Sequence, residues 1–137
     1  MGFPTRCLLF SVPAMVLLWG AAEPRYDTAT VVTVRMLVAE IRETPKGSPL
    51  AGIHLMARPE SARADSEPWD VYLGPTEFMK DMDLVFQPHD RLDVIGSKIK
   101  VGGATVILTR EVRRSGSALY LRDEKGEPVW KVGEGGS

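Results

Sequence analysis

TVVTVRMLVAEIR, residues 30–42, decides the fold of this chain because its apolar side chains change face part-way along the segment. The first half places its apolar residues on one face of an extended strand: Val32, Val34, Met36 and Val38. The second half places them on the other face: Leu37, Ala39 and Ile41. Side chains alternate strictly along a strand, so its buried face can switch only where a residue is inserted or the strand coils. The pattern predicts a long, bulged strand that serves two sheets of a small barrel.

A second change of face occurs in residues 91–101, and it coincides with a glycine. The apolar residues lie on one face before Gly96-Ser97 and on the other face after it: Leu92 and Val94, then Ile99 and Val101. Two extended segments that both switch face indicate strands curled around a common interior. This repetition favours a closed barrel over a flat sheet.

Shorter apolar segments, separated by turn formers, supply the other elements. The turn-rich residues 44–49 predict a loop to a second strand, and Gly102-Gly103 predicts a tight hairpin turn with positive φ. The predicted elements are strands over 52–58, 69–73, 104–112 and 118–122 and a two-turn helix over 76–82. The side chains predicted to point inward from them are Ile53, Leu55, Ala57, Trp69, Val71, Leu73, Phe78, Met79, Met82, Val106, Leu108 and Val112.

The order of these elements specifies a fold class. Three strands, a short helix and two or three further strands are the order of a small Greek-key barrel. Val129-Trp130 is expected to fold back on this barrel after a charged turn. We therefore expect an all-β protein, a five- to six-stranded barrel with one short helix between strands 3 and 4.

Four motifs resemble those of small exported bacterial proteins with an OB-type (oligonucleotide- and oligosaccharide-binding) barrel. The motifs are VYLGP (71–75), DVIGS (93–97), VILTRE (106–111) and LRDEKGEPVW (121–130). They are turn and strand signatures, so the resemblance implies an OB-type barrel and export, without an activity. A His-Leu-Gly-Pro form of the third-strand motif is common in that family. Tyr72 stands here in place of the histidine, which argues against a role built on an imidazole at this position.

Residues 1–22 have the composition of a secretory signal peptide. Arg6 gives a short basic start, residues 7–18 are an almost unbroken apolar run, and Gly20-Ala21-Ala22 offers small residues for cleavage. The run is shorter than the roughly 20 residues that span a bilayer, so we expect no stable membrane span after cleavage. An uncleaved anchor remains the alternative. The predicted location is the periplasm or the outside of the cell, with a domain over 23–132 and a disordered tail over 133–137.

Composition narrows the range of partners and chemistries. The chain has 17 basic and 18 acidic residues, and only Arg6 among them lies in the predicted leader. The mature charge is therefore slightly negative, which argues against binding to nucleic acid. Cys7, the single cysteine, also lies in the leader, so the mature chain has no disulfide and no thiolate ligand. We expect a soluble monomer.

No constellation of residues points to catalysis. His54 and His89 are the only histidines and lie on different predicted elements, so a metal site would need carboxylates gathered by the fold. The acids of residues 123–127 lack the spacing of a calcium loop and predict a solvated turn. We expect no enzymatic activity, no cofactor and no metal.

The resemblance suggests where a ligand would bind. OB-type barrels bind with the outward side of strands 2 and 3 and with the neighbouring loops. The residues predicted for that surface are His54, Met56, Arg58, Asp70, Tyr72 and, on the first loop, Lys46. Trp69 and Trp130 are expected to pack in the core. Basic residues of the later strands are interpreted as edge charge that prevents strand aggregation: Lys98, Lys100, Arg110, Arg113, Arg114 and Arg122.

These observations lead to a hypothesis of recognition. A rigid barrel without a catalytic constellation favours a non-enzymatic exported binding or accessory module whose partner is a protein or peptide. The alternative is an envelope stress protein that responds to a cation or small ligand, with His54 and acids lining a shallow site. Single-stranded nucleic acid is disfavoured because Tyr72 is the only stacking aromatic on the predicted surface. Oligosaccharide binding ranks equally low.

Overall fold

Six strands and one short helix make up residues 24–130, the part of the chain that the computed structural model describes. The strands are β1 (Val31–Thr44), β2 (Gly52–Pro59), β3 (Trp69–Gly74), β4 (Arg91–Val101), β5 (Ala104–Arg114) and β6 (Ser117–Tyr120). Helix α1 (Thr76–Asp81) lies between β3 and β4, and a 3₁₀ turn (Thr28–Thr30) precedes β1. The predicted signal peptide and tail, residues 1–22 and 133–137, lie outside this described part.

The strands close into a barrel. Their order is β3-β2-β1-β4-β5-β6, and β3 also pairs in parallel with β5. The parallel pairing joins the two ends of a five-strand run, and β6 adds an outer strand along β5. The predicted small five- to six-stranded barrel, with one short helix after its third strand, is therefore confirmed. Within residues 24–130, no helix is long and apolar enough to cross a bilayer.

Strand β1 is shared between two neighbours, as its change of face predicts. Its first half pairs with β4 from Val31 to Leu37, and its second half pairs with β2. The register with β2 shifts between Val38 and Glu40, which makes Ala39 an inserted residue. Ile41 beyond the bulge packs against the core. Leu37 before it is solvent-exposed, so it does not belong to the switched face as predicted.

Strands β4 and β5 change register at Gly96. Ile95 pairs with Glu111 and Gly96 with Thr109, so Arg110 is an extra residue on β5. A Cβ on Gly96 would lie 2.4 Å from the carbonyl oxygen of Leu108, so only glycine fits there. The hairpin turn that follows β4 has positive φ at Gly102 and Gly103, as predicted.

The barrel interior is an apolar core that α1 caps. Its buried members are Met36, Val38, Leu55, Ala57, Val71, Leu73, Met79, Phe86, Leu92, Val94, Ile107, Val112, Leu119 and Leu121. Met79 is buried and Phe78 packs against the core from the side. The inward prediction for Met82 is wrong, because the helix ends at Asp81 and the Met82 side chain is 40% exposed.

A second, smaller cluster lies on the outer face of the barrel. Its buried members are Tyr72, Val106 and Leu108, with Tyr26, Leu50 and Ile99 packed against them. Tyr72 alternates along β3 with Val71 and Leu73, which point into the barrel, so it faces outward. The inward prediction for Val106 and Leu108 is therefore wrong, because Ile107 between them occupies the interior. The N-terminal segment and the loop at residues 45–51 cover this outer cluster.

The chain returns to the barrel after β6. The carbonyl oxygen of Arg110 accepts backbone hydrogen bonds from Leu121 (2.7 Å) and Arg122 (3.3 Å). Trp130 then packs against the core, with its ring centroid 5.2 Å from that of Phe78. The predicted fold-back of residues 129–130 is confirmed.

Candidate functional site

The outward side of β2 and β3 carries the predicted residues but is not an open surface. His54, Asp70 and Tyr72 are neighbours there, because His54 pairs with Tyr72 and Met56 with Asp70 in the strand register. The exposed fractions of His54 and Tyr72 are 5% and 6%. The expectation that both side chains meet solvent is therefore wrong.

The loop at residues 45–51 covers them. The Tyr72 hydroxyl donates a hydrogen bond to the carbonyl oxygen of Ala51 at 2.8 Å. The carbonyl oxygen of Leu50 lies 2.7 Å from the Thr44 hydroxyl and 2.7 Å from Nε2 of His54. Leu50 also joins the outer cluster, so polar and apolar contacts together hold the loop down.

His54 is held on both sides of its ring. Its Nδ1 lies 2.7 Å from Oδ1 of Asp70, and its ring centroid lies 5.0 Å from that of Tyr72. Burial acts to lower the pKa of His54, but the hydrogen bonds to the Asp70 carboxylate and the Leu50 carbonyl outweigh it and raise the pKa above 6.5. Arg42 opposes this rise through its charge.

The other three predicted residues do not converge on this cluster. Arg58 is half-buried and donates from Nε to the carbonyl oxygen of Ser66 at 2.6 Å. Met56 is half-buried on β2. Lys46 extends into solvent with its Nζ 3.4 Å from Oε1 of Glu77. The structure thus brings together His54, Asp70 and Tyr72, with Met56 alongside, and separates Arg58 and Lys46 by their own local contacts.

An open cleft of about 720 Å³ lies at the edge of the covering loop. Its walls come from three chain segments and from two single residues. The segments contribute residues 24–26, residues 48–51, and residues 122, 125–128 and 130; the single residues are Tyr72 and Pro75. Tyr72 thus contacts the covering loop with its hydroxyl and also lines the cleft. This volume falls within the range of small-ligand sites, which is about 300–1,000 Å³.

The turn that forms one wall is tightly structured. Asp123 accepts hydrogen bonds at Oδ1 from the backbone nitrogens of Lys125 and Glu127, both at 2.9 Å. Arg122 donates to the carbonyl oxygen of Gly126 at 2.8 Å. The solvated turn predicted for residues 123–127 is confirmed. One carboxylate oxygen of Asp123 accepts hydrogen bonds from the backbone of this turn.

Cations and aromatic rings meet at the cleft. The Arg122 guanidinium lies 5.5 Å from the ring centroid of Trp130 and 5.8 Å from that of Tyr26, both within cation–π range. Arg25 and Lys125 also line the cleft, and Glu127 is the acidic residue among its lining side chains. Among the lining residues of the described part, 24–130, three cations stand against one carboxylate, so this part of the lining carries a positive charge.

The basic residues of the later strands do not share one edge. Arg113 and Arg114 lie where β6 covers β5, so the edge interpretation is wrong for them, whereas Lys98 and Lys100 lie beyond the β1 pairing, in the part of β4 that pairs with β5. Lys98 lies 4.5 Å from the ring centroid of Trp69, Arg113 pairs with Glu111, and Arg114 pairs with Asp90 at 3.0 Å. Individual partners, and not a shared surface, account for these three cations.

Metal ligands do not cluster in the described part of the chain. Among residues 24–130, no group of three or more His, Cys, Asp or Glu side chains could hold a metal ion. His54 has Asp70 beside it, and His89 is exposed in the turn before β4.

Comparison of the chain with protein-family models, with curated proteins and with solved structures finds no match. The function is therefore inferred from the residues and the geometry of the site.

Sequence reasoning missed the cleft because its walls come from distant segments. From the sequence alone, Arg122 is interpreted as edge charge, and core packing is favoured over a ligand platform for Trp130. Two signals could have indicated them: the compact turn motif at residues 122–128 and the prolines that recur at 24, 49, 75 and 128. Neither signal shows by itself that the segments meet.

Proposed function

We propose that this protein is an exported, non-enzymatic binding module that holds an extended, acidic peptide segment of a partner protein in the cleft. The observation that carries the proposal is the cleft itself, with its volume of about 720 Å³ and its three basic side chains. The position agrees with the general behaviour of OB-type barrels, which use the loop between strands 1 and 2 for binding.

Preorganised walls favour binding. The loop at residues 45–51 is fixed by hydrogen bonds from Tyr72 and Thr44, and the turn at 122–128 by those of Asp123 and Arg122. A ligand that meets fixed walls loses less free energy to ordering of the protein. The cleft can therefore hold a short segment without first folding around it.

The lining indicates the chemistry of the segment. Prolines and the rings of Tyr26 and Trp130 provide flat apolar surfaces of the kind that accept extended proline-containing peptides. Arg25 and Lys125 are exposed and can approach carboxylates, which form strong charge-assisted hydrogen bonds with such groups. Acidic, extended peptides satisfy both features.

Recognition is favoured over catalysis by the state of the histidines. Both ring nitrogens of His54 are engaged, and its ring lies behind the covering loop. His89 is exposed, and no salt bridge or hydrogen bond to its side chain is seen within residues 24–130. Export is supported by the leader-like composition of residues 1–22 and by the resemblance to small exported OB-type proteins.

The test is a titration of the mature protein, followed by amide NMR, with two matched peptides. Acetyl-Pro-Glu-Pro-Glu-amide should give saturable shifts at the amides of Ser48, Leu50, Ala51 and residues 122–127. Acetyl-Pro-Lys-Pro-Lys-amide should give none. Equal responses to both peptides, or shifts confined to other surfaces, would refute the proposed site.

Charge removal sharpens the test. The double variant Arg25→Gln/Lys125→Gln should weaken binding of the acidic peptide by roughly fivefold, because each exposed ion pair contributes up to about 1 kcal/mol. Lys80→Gln, an exposed lysine of α1 outside the cleft lining, is the matched control and should bind like the native protein.

A further inference from the structure

Both nitrogens of the His54 ring face oxygen atoms of neighbouring groups. Nδ1 lies 2.7 Å from a carboxylate oxygen of Asp70, and Nε2 lies 2.7 Å from the carbonyl oxygen of Leu50. A carboxylate and a carbonyl oxygen are both acceptors, so each ring nitrogen must donate. The Thr44 hydroxyl also lies 3.2 Å from Nε2, but its single hydrogen is donated to the closer Leu50 carbonyl oxygen at 2.7 Å. With Asp70 ionised, these two acceptors match the imidazolium form of the ring.

We propose that His54 is a proton-operated clamp for the loop at residues 45–51, and that loss of its second proton releases the loop and takes away one wall of the cleft. The released loop carries Leu50 and Ala51, both of which line the cleft. The effect of the clamp on binding rests on the proposed function, whereas the clamp itself does not.

The choice of which hydrogen bond breaks follows from charge. A neutral imidazole keeps one hydrogen, and a hydrogen bond to a carboxylate is stronger than one to a carbonyl. The hydrogen therefore stays on Nδ1, toward Asp70. Nε2 then turns a lone pair toward the Leu50 carbonyl, and a contact of 2.7 Å between two acceptors is repulsive.

Groups from every neighbouring element act on this ring. From β3, the charge of Asp70 stabilises the imidazolium. Tyr72, also on β3, packs beside the His54 ring and donates a hydrogen bond to the carbonyl oxygen of Ala51. From β1, Arg42 opposes the imidazolium by charge. On the loop, Lys46 is directed to Glu77 of α1. The sum of these effects raises the pKa of His54 in the folded protein. The clamp is therefore closed at and below pH 6.5 and opens as the pH rises through this raised pKa.

The experiment uses the mature His89→Asn variant, which leaves His54 as the only histidine. Nitrogen NMR of the ring should show both nitrogens protonated at pH 6 and one proton lost on raising the pH. The protection of the Gly52 amide, which donates to Thr44 at the loop hinge, should fall by roughly tenfold in the same pH range. A ring with one proton at pH 6, or loop protection that does not follow its titration, overturns the clamp.

Asp70→Asn provides the discriminating variant. An asparagine amide can donate to Nδ1, so a neutral ring keeps Nε2–H for the Leu50 carbonyl. The loop should then stay protected at high pH, with the pH dependence lost. If this variant does not fold, the ring titration of the native sequence still decides the proton count.

Peptide binding separates the two proposals. Acetyl-Pro-Glu-Pro-Glu-amide should bind several-fold more weakly once the loop is released, and Asp70→Asn should bind it equally at both pH values. If the loop opens with pH but the peptide does not bind, the proposed function is refuted and the clamp is not. If the peptide binds at the cleft but loop protection does not depend on pH, the clamp alone is refuted.

Discussion

Trp130 packs directly over Gly74, so that a Cβ on this glycine would lie 2.9 Å from Cζ3 of the indole ring. The glycine ends β3, and the ring belongs both to the core surface and to the wall of the cleft. This pair ties the end of the described chain to the barrel.

Gly74→Ala should therefore displace Trp130 and lower the free energy of unfolding by about 1–3 kcal/mol, the usual cost of overpacking. Urea denaturation followed by tryptophan fluorescence measures the loss. In a Trp130→Leu background the same substitution should cost much less, because the clashing ring is gone. An equal cost in both backgrounds would show that the indole does not constrain Gly74.

Gly96→Ala should be more damaging than Gly74→Ala. The added Cβ would lie 2.4 Å from the backbone oxygen of Leu108, which belongs to a paired strand and cannot rotate away. We expect a loss of at least about 2 kcal/mol in denaturant unfolding. Thr33→Ala, on the exposed side of β1, is the reference and should change stability little. Unaltered stability of the glycine variant would contradict the close approach at this bulge.

Ser97→Ala should release the N-terminal segment from β4. The buried Ser97 hydroxyl accepts a hydrogen bond from the backbone nitrogen of Asp27 at 3.0 Å and contacts the Thr30 hydroxyl at 2.8 Å. Their loss should cost about 1–3 kcal/mol and accelerate amide exchange at Asp27 and Thr30. Ser117→Ala, an exposed strand serine, is the matched control. Exchange that stays slow after Ser97→Ala would show that other contacts anchor the segment.

The contribution of His54 to stability should depend on pH. Its folded pKa is raised by the Asp70 and Leu50 hydrogen bonds against the opposing effect of burial. A raised pKa means that the stabilisation is complete below 6.5 and is lost as pH rises through the folded value. The difference in unfolding free energy between the native protein and His54→Gln should thus be larger at pH 6 than at pH 9. A constant difference would argue against a charged ring in the folded state.

A change in the course of a strand could be predicted from sequence because it changes the face on which the apolar residues alternate. An inserted residue at Ala39 shifts the apolar phase of β1. Gly96 marks the second register shift, but the extra residue there is Arg110 of β5 and not a residue of β4. The alternation of apolar residues does not show which of the two faces is the barrel interior. Alternation alone therefore predicts Val106 and Leu108 to be interior residues, although an external cluster buries them just as completely.

The site was predicted only in part for a related reason. Period-2 alternation puts His54 and Tyr72 correctly on the outward face. Their burial depends on Leu50 and Ala51, which lie in a proline-rich loop whose path is set by hydrogen bonds to these very residues. The burial of the two strand residues and the path of the loop depend on each other, so neither can be predicted from the sequence of the strands or of the loop alone. The cleft adds a third and a fourth segment, so it could not be predicted from any one motif.

The parallel ladder of β3 with β5 also dictates the order in which this molecule can be assembled. Asp70 and Val106 are partners although β4 and the hairpin lie between them in the chain. Ladders between distant segments form slowly because loop closure comes before their contacts. A nascent chain that stops before Ala104 must leave the edges of β3 and β4 unpaired, where they invite association with other strands. Completion of β5 is thus the step that gives β3 and β4 their missing partner.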